Sequence, residues 1–413
     1  MRVGRRVRSY GEASTVYMAA VVAGLAIMAP VDLEEAMRAP TPHLDVLAND
    51  AVHAAAGGVL IAAVVAVVLT VHGSVRVAWA VAGCGAVVLL VDHLIAGSGL
   101  TTLELVSLMY ADAGGGGLLL GGLARVALGR RRSATALTIG ALTAAVVGNH
   151  TRLAERAAER AQPAERWQWH LIDSPPRPLV VLAVILVLGA AIANRRTRSR
   201  LWFRAFPFAP VCGGLLALAS ALLAWEWLAA GEPRLPRLVE AGAVLLAGAL
   251  TAAFSVPGLD GAIVLLSSVF TLVWGELAPV RLPIADLAVL PVVIAVAYFA
   301  GSRWRSPLLG WTALAVIALG AACAGHSHHA AIVVGVPALG SAMGYAWAAT
   351  TPARAVSRSI ALPLLFTPSL VLAIRRPRGT ADLVDKPAWT AATLVLACGL
   401  GFGVLAVLRR RSG

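Results

Sequence analysis

Apolar stretches of 15 to 24 residues follow one another along the whole chain, parted by short polar breaks. A hydrocarbon core of about 30 Å takes roughly 20 helical residues to cross. Backbone groups in lipid must be paired within the segment, which a helix achieves by itself. The alternating segments of about ten residues that a membrane β-barrel needs do not occur. The pattern predicts spans at about 15–31, 51–72, 77–97, 105–128, 133–149, 178–194, 205–229, 239–256, 262–278, 283–300, 307–325 and 330–349. A shorter stretch at 360–374, with Pro363 and Pro368, and a last apolar run before the C-terminal arginines complete the series. The expected fold is all-α, a polytopic integral membrane bundle of about 14 transmembrane helices. If 360–374 re-enters instead of spanning, the count is 13 plus a re-entrant segment.

Charge orients these spans. Lys and Arg accumulate in short cytoplasmic loops. Arg2, Arg5, Arg6 and Arg8 precede the first span and put the N-terminus in the cytoplasm. On that register "GRRR" (129–132), "RRTRSRLWFR" (195–204), "SRWRS" (302–306) and "TTPARAVSRS" (350–359) all fall inside, and the acidic loop 32–50 falls outside. Beyond 359 the register is open, because either reading of 360–374 leaves one basic cluster outside. No cleavage site follows the first apolar run, so it is read as a retained span. The expected location is the plasma membrane, which is the inner membrane where a cell has two.

Composition agrees with this picture. The chain of 413 residues is 59% hydrophobic and 13% charged, with a mean hydropathy of +0.81; a soluble domain is about 25% charged. The net charge is +13, and Lys386 is the only lysine. Because the arginines punctuate apolar runs, they speak for membrane orientation and against nucleic acid. Arginine in place of lysine, with abundant Ala, Gly and Val, is what a GC-rich genome such as an actinobacterium's produces. The cysteines, Cys84, Cys212, Cys323 and Cys398, are isolated within apolar runs, so neither a disulfide framework nor a thiolate site is expected. The longest polar stretch, 150–176, repeats "AER" and ends in Trp167 and Trp169, which suits a surface helix with an interfacial anchor. It suggests three regions: a four-span region at 1–132, a fifth span with its outer loop at 133–177, and a C-terminal bundle at 178–413. "GWTALAVIALGAACAG" (310–325) and "AWTAATLVLACGLGFG" (388–403) look alike, as Ala/Leu/Val-rich helices do by chance.

An ionisable residue inside a span is costly, by about 2.5–3.5 kcal/mol for a central Asp on insertion scales, and is a functional candidate by default. Asp50 and His53 open the second span and share a helix face at i,i+3. Asp92 and His93 close the third. Glu104 begins the fourth, and Asp112 lies about two turns deeper. In this topology all six occupy the outer half of consecutive spans. They form a candidate substrate or ion pocket, with Gly57–Gly58 and Gly114–Gly117 allowing close helix approach. "HSHH", with His326, His328 and His329, offers imidazoles that suit a divalent metal. Otherwise no cofactor is expected. Trp225–Trp227 and Trp274 with Glu276 read as interfacial anchors, Asp260 as a turn residue, and Asp286 as a somewhat deeper acid. Nucleotide-binding, zinc-protease and serine-hydrolase motifs are missing from the sequence.

The run "NDAVHAAAGGVL" (49–60), then "LLVDHL" (89–94), then "LMYADAGGGGLLLGGLARVAL" (108–128) resembles the VanZ-like membrane family over residues 15–128. The resemblance implies a cell-envelope role. The span count, the missing catalytic motifs and the outward acidic pocket lead to an expected transporter-like envelope protein handling a lipid-linked or amphiphilic substrate. Its partners would be membrane lipids and lipid-linked envelope intermediates. Two alternatives stand beside it: an integral membrane enzyme of envelope lipid or glycan metabolism using the Asp/His pocket, and a non-catalytic scaffold or sensor.

Overall fold

A computed structural model describes residues 2–28, 44–95, 100–148, 175–195, 208–231, 234–256, 258–277, 284–324, 329–350, 355–371 and 386–411. The described chain is all-helical, with 14 helices. They are α1 (Arg2–Met28), α2 (Leu44–Val71), α3 (Val75–Ile95), α4 (Thr102–Ala127), α5 (Arg131–Val147), α6 (Arg177–Asn194), α7 (Phe208–Ala229) and α8 (Leu235–Ser255). A 3-10 turn (Gly258–Gly261) leads to α9 (Ala262–Leu277), α10 (Ile284–Trp304), α11 (Pro307–Ala324), α12 (His329–Thr350), α13 (Ala355–Leu364) and α14 (Lys386–Arg411). Among the described residues, 8 helices are long and apolar enough to cross a membrane. The protein is a polytopic membrane helix bundle.

The helices form two compact units, α1–α6 and α7–α14. The sequence suggested a break near residue 177, but α6 packs on α1 and α3 and so belongs to the first unit. Polarity marked the long 150–176 stretch, while packing decides where a bundle ends. The second unit repeats the packing of the first. In the first, α1 packs on α4, α5 and α6, α4 on α2 and α3, and α3 on α6; in the second, α9 packs on α12, α13 and α14, α12 on α10 and α11, and α11 on α14. The last six helices therefore match the first six in order. The α7–α8 hairpin is an addition, seated on α9, α13 and α14 of its own unit. The similar stretches at 310–325 and 388–403 lie on α11 and α14, which correspond to α3 and α6 and not to each other.

In the first unit the approach of α4 to its neighbours depends on its glycine run. Successive residues on a helix point about 100° apart, so consecutive glycines face different partners. A Cβ on Gly115 would meet Leu89, Val88 and the Gly85 oxygen of α3 at 3.1–3.2 Å. One on Gly116 would lie 2.7 Å from the Ala23 oxygen of α1, and one on Gly117 2.5 Å from the Gly58 oxygen of α2. Three of the four consecutive glycines, Gly115, Gly116 and Gly117, thus let one helix meet three others backbone to backbone, which is how small residues work in membrane bundles. Where the first unit's helices end, Arg125 of α4 donates from Nε to Leu69 O (3.0 Å) and Gly73 O (3.3 Å), capping α2. Arg130 pairs with Glu12 of α1, and Arg132 donates to Ser9 Oγ at 2.8 Å and lies over the Tyr10 ring.

The second unit contains a broken helix where the sequence left the topology open. α13 stops at Leu364, and Leu365, Phe366 and Thr367 turn back on Leu362, Pro363 and Leu364 in i→i−3 bonds. Pro368 causes the break, since it has no N–H for Leu364 O and its ring clashes there. Thr367 donates to that carbonyl instead, from N at 3.3 Å and from Oγ1 at 2.8 Å. Ser267 of α9 likewise reaches Ala361 O at 3.2 Å.

Candidate functional site

The structure brings three of the six candidate residues together. Asp92 and His93, in the last turn of α3, meet Asp112 of α4, and one ligand atom from each lies within 4.8 Å of the others. Asp92 and Asp112 are 7% and 2% exposed, and His93 is half-buried. The antiparallel α3–α4 contact accounts for the meeting. Gly122 abuts Ala78 and Ala82, and Gly85 and Leu89 abut Gly115, so a register one turn further along sets 92 and 93 opposite 112. Asp112 precedes Gly115 and Gly116 by three and four positions, so it sits above the closest backbone contacts of α4 with α3 and α1.

His93 is held at both ring nitrogens. Nδ1 lies 2.9 Å from Leu89 O of its own helix and 3.6 Å from Asp112 Oδ1. Nε2 lies 3.0 Å from Pro175 O, just before α6. Carbonyl and carboxylate oxygens only accept, while a neutral imidazole carries one N–H. With that N–H given to Pro175, the Nδ1 lone pair faces two more acceptors. Asp112 Oδ1 is buried with no hydrogen-bond partner. The arrangement calls for a positive charge at its centre, either a proton, on the imidazole or shared between the two carboxyls, or a metal ion.

The other sequence candidates separate from this cluster. Glu104 is exposed and caps α4: its Oε2 accepts from Thr101 N (2.7 Å) and Thr101 Oγ1 (2.9 Å), and Glu104 N donates back to Thr101 Oγ1 (3.3 Å). It is a capping-box residue and not part of a pocket. Asp50 and His53 are half-buried on α2, with His53 Nδ1 3.0 Å from Asn49 O. The side chains of His326, His328, His329, Glu276 and Asp286, and residues 149–174, lie outside the described residues. Trp227 donates to Glu240 Oε2 at 3.1 Å under Arg237, as a surface anchor would, whereas Trp225 and Trp274 are buried in the core and are not surface anchors. Asp260 is more than a turn residue: it is buried and accepts from Ser357 Oγ of α13 at 2.8 Å. Pro175 escaped the sequence reading, because it acts through a backbone oxygen 82 positions from its partner.

No protein-family model matches the chain, and no curated protein matches it. Solved structures do share its fold. The xylose transporter XylE from E. coli, in a partially occluded inward open conformation, aligns over 95% of this chain and 98% of its own, at 12% identity and a TM-score of 0.51. An auto inhibited POT family peptide transporter aligns over 97% of this chain and 96% of its own, at 14% identity and a TM-score of 0.53. The chain shares its fold with these two transporters.

Proposed function

We propose that this protein is a secondary transporter of the cell envelope that carries an amphiphilic or lipid-linked solute. The observation that carries the transport reading is the duplicated six-helix packing. Many secondary transporters are built from such repeats, and move one against the other around a site near the bilayer midplane. The likeness to two transporter structures over nearly the whole chain supports it. The cell-envelope setting rests on the resemblance of residues 15–128 to the VanZ-like family, and the substrate class on that setting together with the acidic cluster in the membrane spans.

The test is mass-spectrometric profiling of prenyl-linked intermediates and free envelope lipids in a deletion strain. Complementation uses the wild type or Asp92→Asn/Asp112→Asn. Accumulation of one lipid class, relieved by the wild type and not by the double variant, is the expected result. An unchanged profile during growth that expresses the protein would refute the envelope-lipid substrate.

A further inference from the structure

We propose that Asp92, His93 and Asp112 bind a divalent transition-metal ion of the zinc or manganese kind between α3 and α4. The donors are already gathered, with one atom of each within 4.8 Å of the others. An ion bound at about 2.0–2.2 Å would draw them closer by roughly 1 Å, within reach of small χ changes. His93 is set up as a ligand. A metal-bound histidine usually donates its second ring N–H to a carboxylate or backbone carbonyl, which fixes the tautomer and the ring plane. Pro175 O, 3.0 Å from Nε2, is in that place, and Nδ1 is then the lone-pair donor on the side of the carboxylates.

Burial strengthens the case. Asp112 is 2% exposed and its Oδ1 has no hydrogen-bond partner. Leu89 O and Asp112 Oδ1 both face Nδ1, at 2.9 and 3.6 Å. An ion in their midst turns mutual repulsion into attraction. An imidazole beside two carboxylates selects Zn²⁺, Mn²⁺ or Co²⁺ over Mg²⁺ and Ca²⁺, which prefer all-oxygen sites. Three protein ligands leave a coordination position open, so the ion can exchange or take a further donor. It would join α3 to α4 and, through the imidazole, to the start of α6.

This inference stands apart from the transport reading, since binding is measured without flux. Full-length protein, purified in detergent with its tag removed and stripped with chelator, is titrated with Co²⁺ and Zn²⁺. Bound metal is counted by mass spectrometry, and Co²⁺ is followed by its ligand-field absorption. The expected result is one equivalent, with Asp112→Asn and His93→Gln each weakening binding by about tenfold or more. Metal should raise the melting temperature of the wild type and of His326→Ala/His328→Ala/His329→Ala, but not that of His93→Gln. Wild-type protein that is monodisperse and binds no metal would overturn the proposal, with a proton then balancing the cluster. Binding that survives His93→Gln and disappears with the His326/His328/His329 substitutions would overturn it too. If Asp112→Asn does not fold, the wild-type stoichiometry and His93→Gln still decide.

Discussion

Gly57 and Gly58 are neighbours in sequence, yet replacing each by alanine should have opposite effects on stability. A Cβ on Gly57 would meet nothing within 4 Å, while one on Gly58 would sit 2.6 Å from Ala113 O and 3.2 Å from Ile27 Cγ1. Ordinary contact begins at 3.4 Å, so α2 and α4 must separate by about 0.8 Å at that point. The obstacle is a backbone oxygen, which cannot rotate aside. Overpacking of this kind costs about 1–3 kcal/mol, against a gain of about 0.5–1 kcal/mol from replacing a helical glycine. Gly57→Ala has only the gain. The helix gain is common to both, so the two variants should differ by the overpacking cost, about 1–3 kcal/mol, with wild type between them. Steric-trap unfolding in bicelles reads this directly, and heating in detergent followed by size-exclusion chromatography gives the rank order. Ala113 adjoins Asp112, so Gly58→Ala should also weaken cobalt binding while Gly57→Ala leaves it unchanged. If Gly58→Ala proves as stable as Gly57→Ala, the account of α4 as a helix packed backbone to backbone is wrong.

Three further outcomes are expected. Thr101→Ala removes the capping box of α4 and should cost about 1 kcal/mol; Glu104→Gln should leave the metal titration unchanged, because Glu104 serves the cap. Arg130→Met strands the buried Glu12 carboxylate, 8% exposed against 46% for Arg130. It should therefore destabilise by about 1–3 kcal/mol after allowance for solvent at Arg130, and Glu12→Met in the same chain should recover most of that loss. Thr367→Val should cost about 0.5–1.5 kcal/mol by removing the shorter of the two hydrogen bonds to Leu364 O and leaving the 3.3 Å bond from Thr367 N. That cost should shrink in a Pro368→Ala background, where the backbone N–H returns, and a double-mutant cycle by thermal unfolding measures the difference.

The all-α membrane architecture was legible because hydropathy reports contact with lipid directly, residue by residue. Asp92, His93 and Asp112 were legible for the same reason, as ionisable groups stand out within an apolar span. Glu104 looked equivalent to them on paper. Whether an acid near a helix start faces a pocket or folds back onto its own N-terminus depends on the side-chain turn that Thr101 stabilises. The duplication was hidden because lipid demands Ala, Leu and Val of every helix, whichever helices it touches. What repeats is the set of packed pairs, and pairing between separate helices leaves no local trace in such a composition. The roles of Pro175 and Asp260 were hidden likewise, one acting through a backbone oxygen and the other through Ser357, 97 positions away.

The buried acids show why the α3–α4 cluster differs from the rest of the molecule. Among the described residues these are Glu12, Asp92, Asp112 and Asp260. Burying a carboxylate is costly unless a partner balances it. Glu12 has the guanidinium of Arg130, and Asp260 has the hydroxyl of Ser357. Asp112 has instead a second carboxyl and an imidazole nitrogen 3.6 Å away, too far for a good hydrogen bond. The glycines that draw α4 against α1, α2 and α3 also keep out the larger side chains, an arginine among them, that could have reached in to balance it. Tight packing and charge demand thus arise from the same stretch, residues 112–117. An acid was set beside a glycine-lined helix contact, where a small cation fits and a large side chain does not. A structural acid needs no such placement, since the same fold satisfies Glu12 and Asp260 by ordinary means.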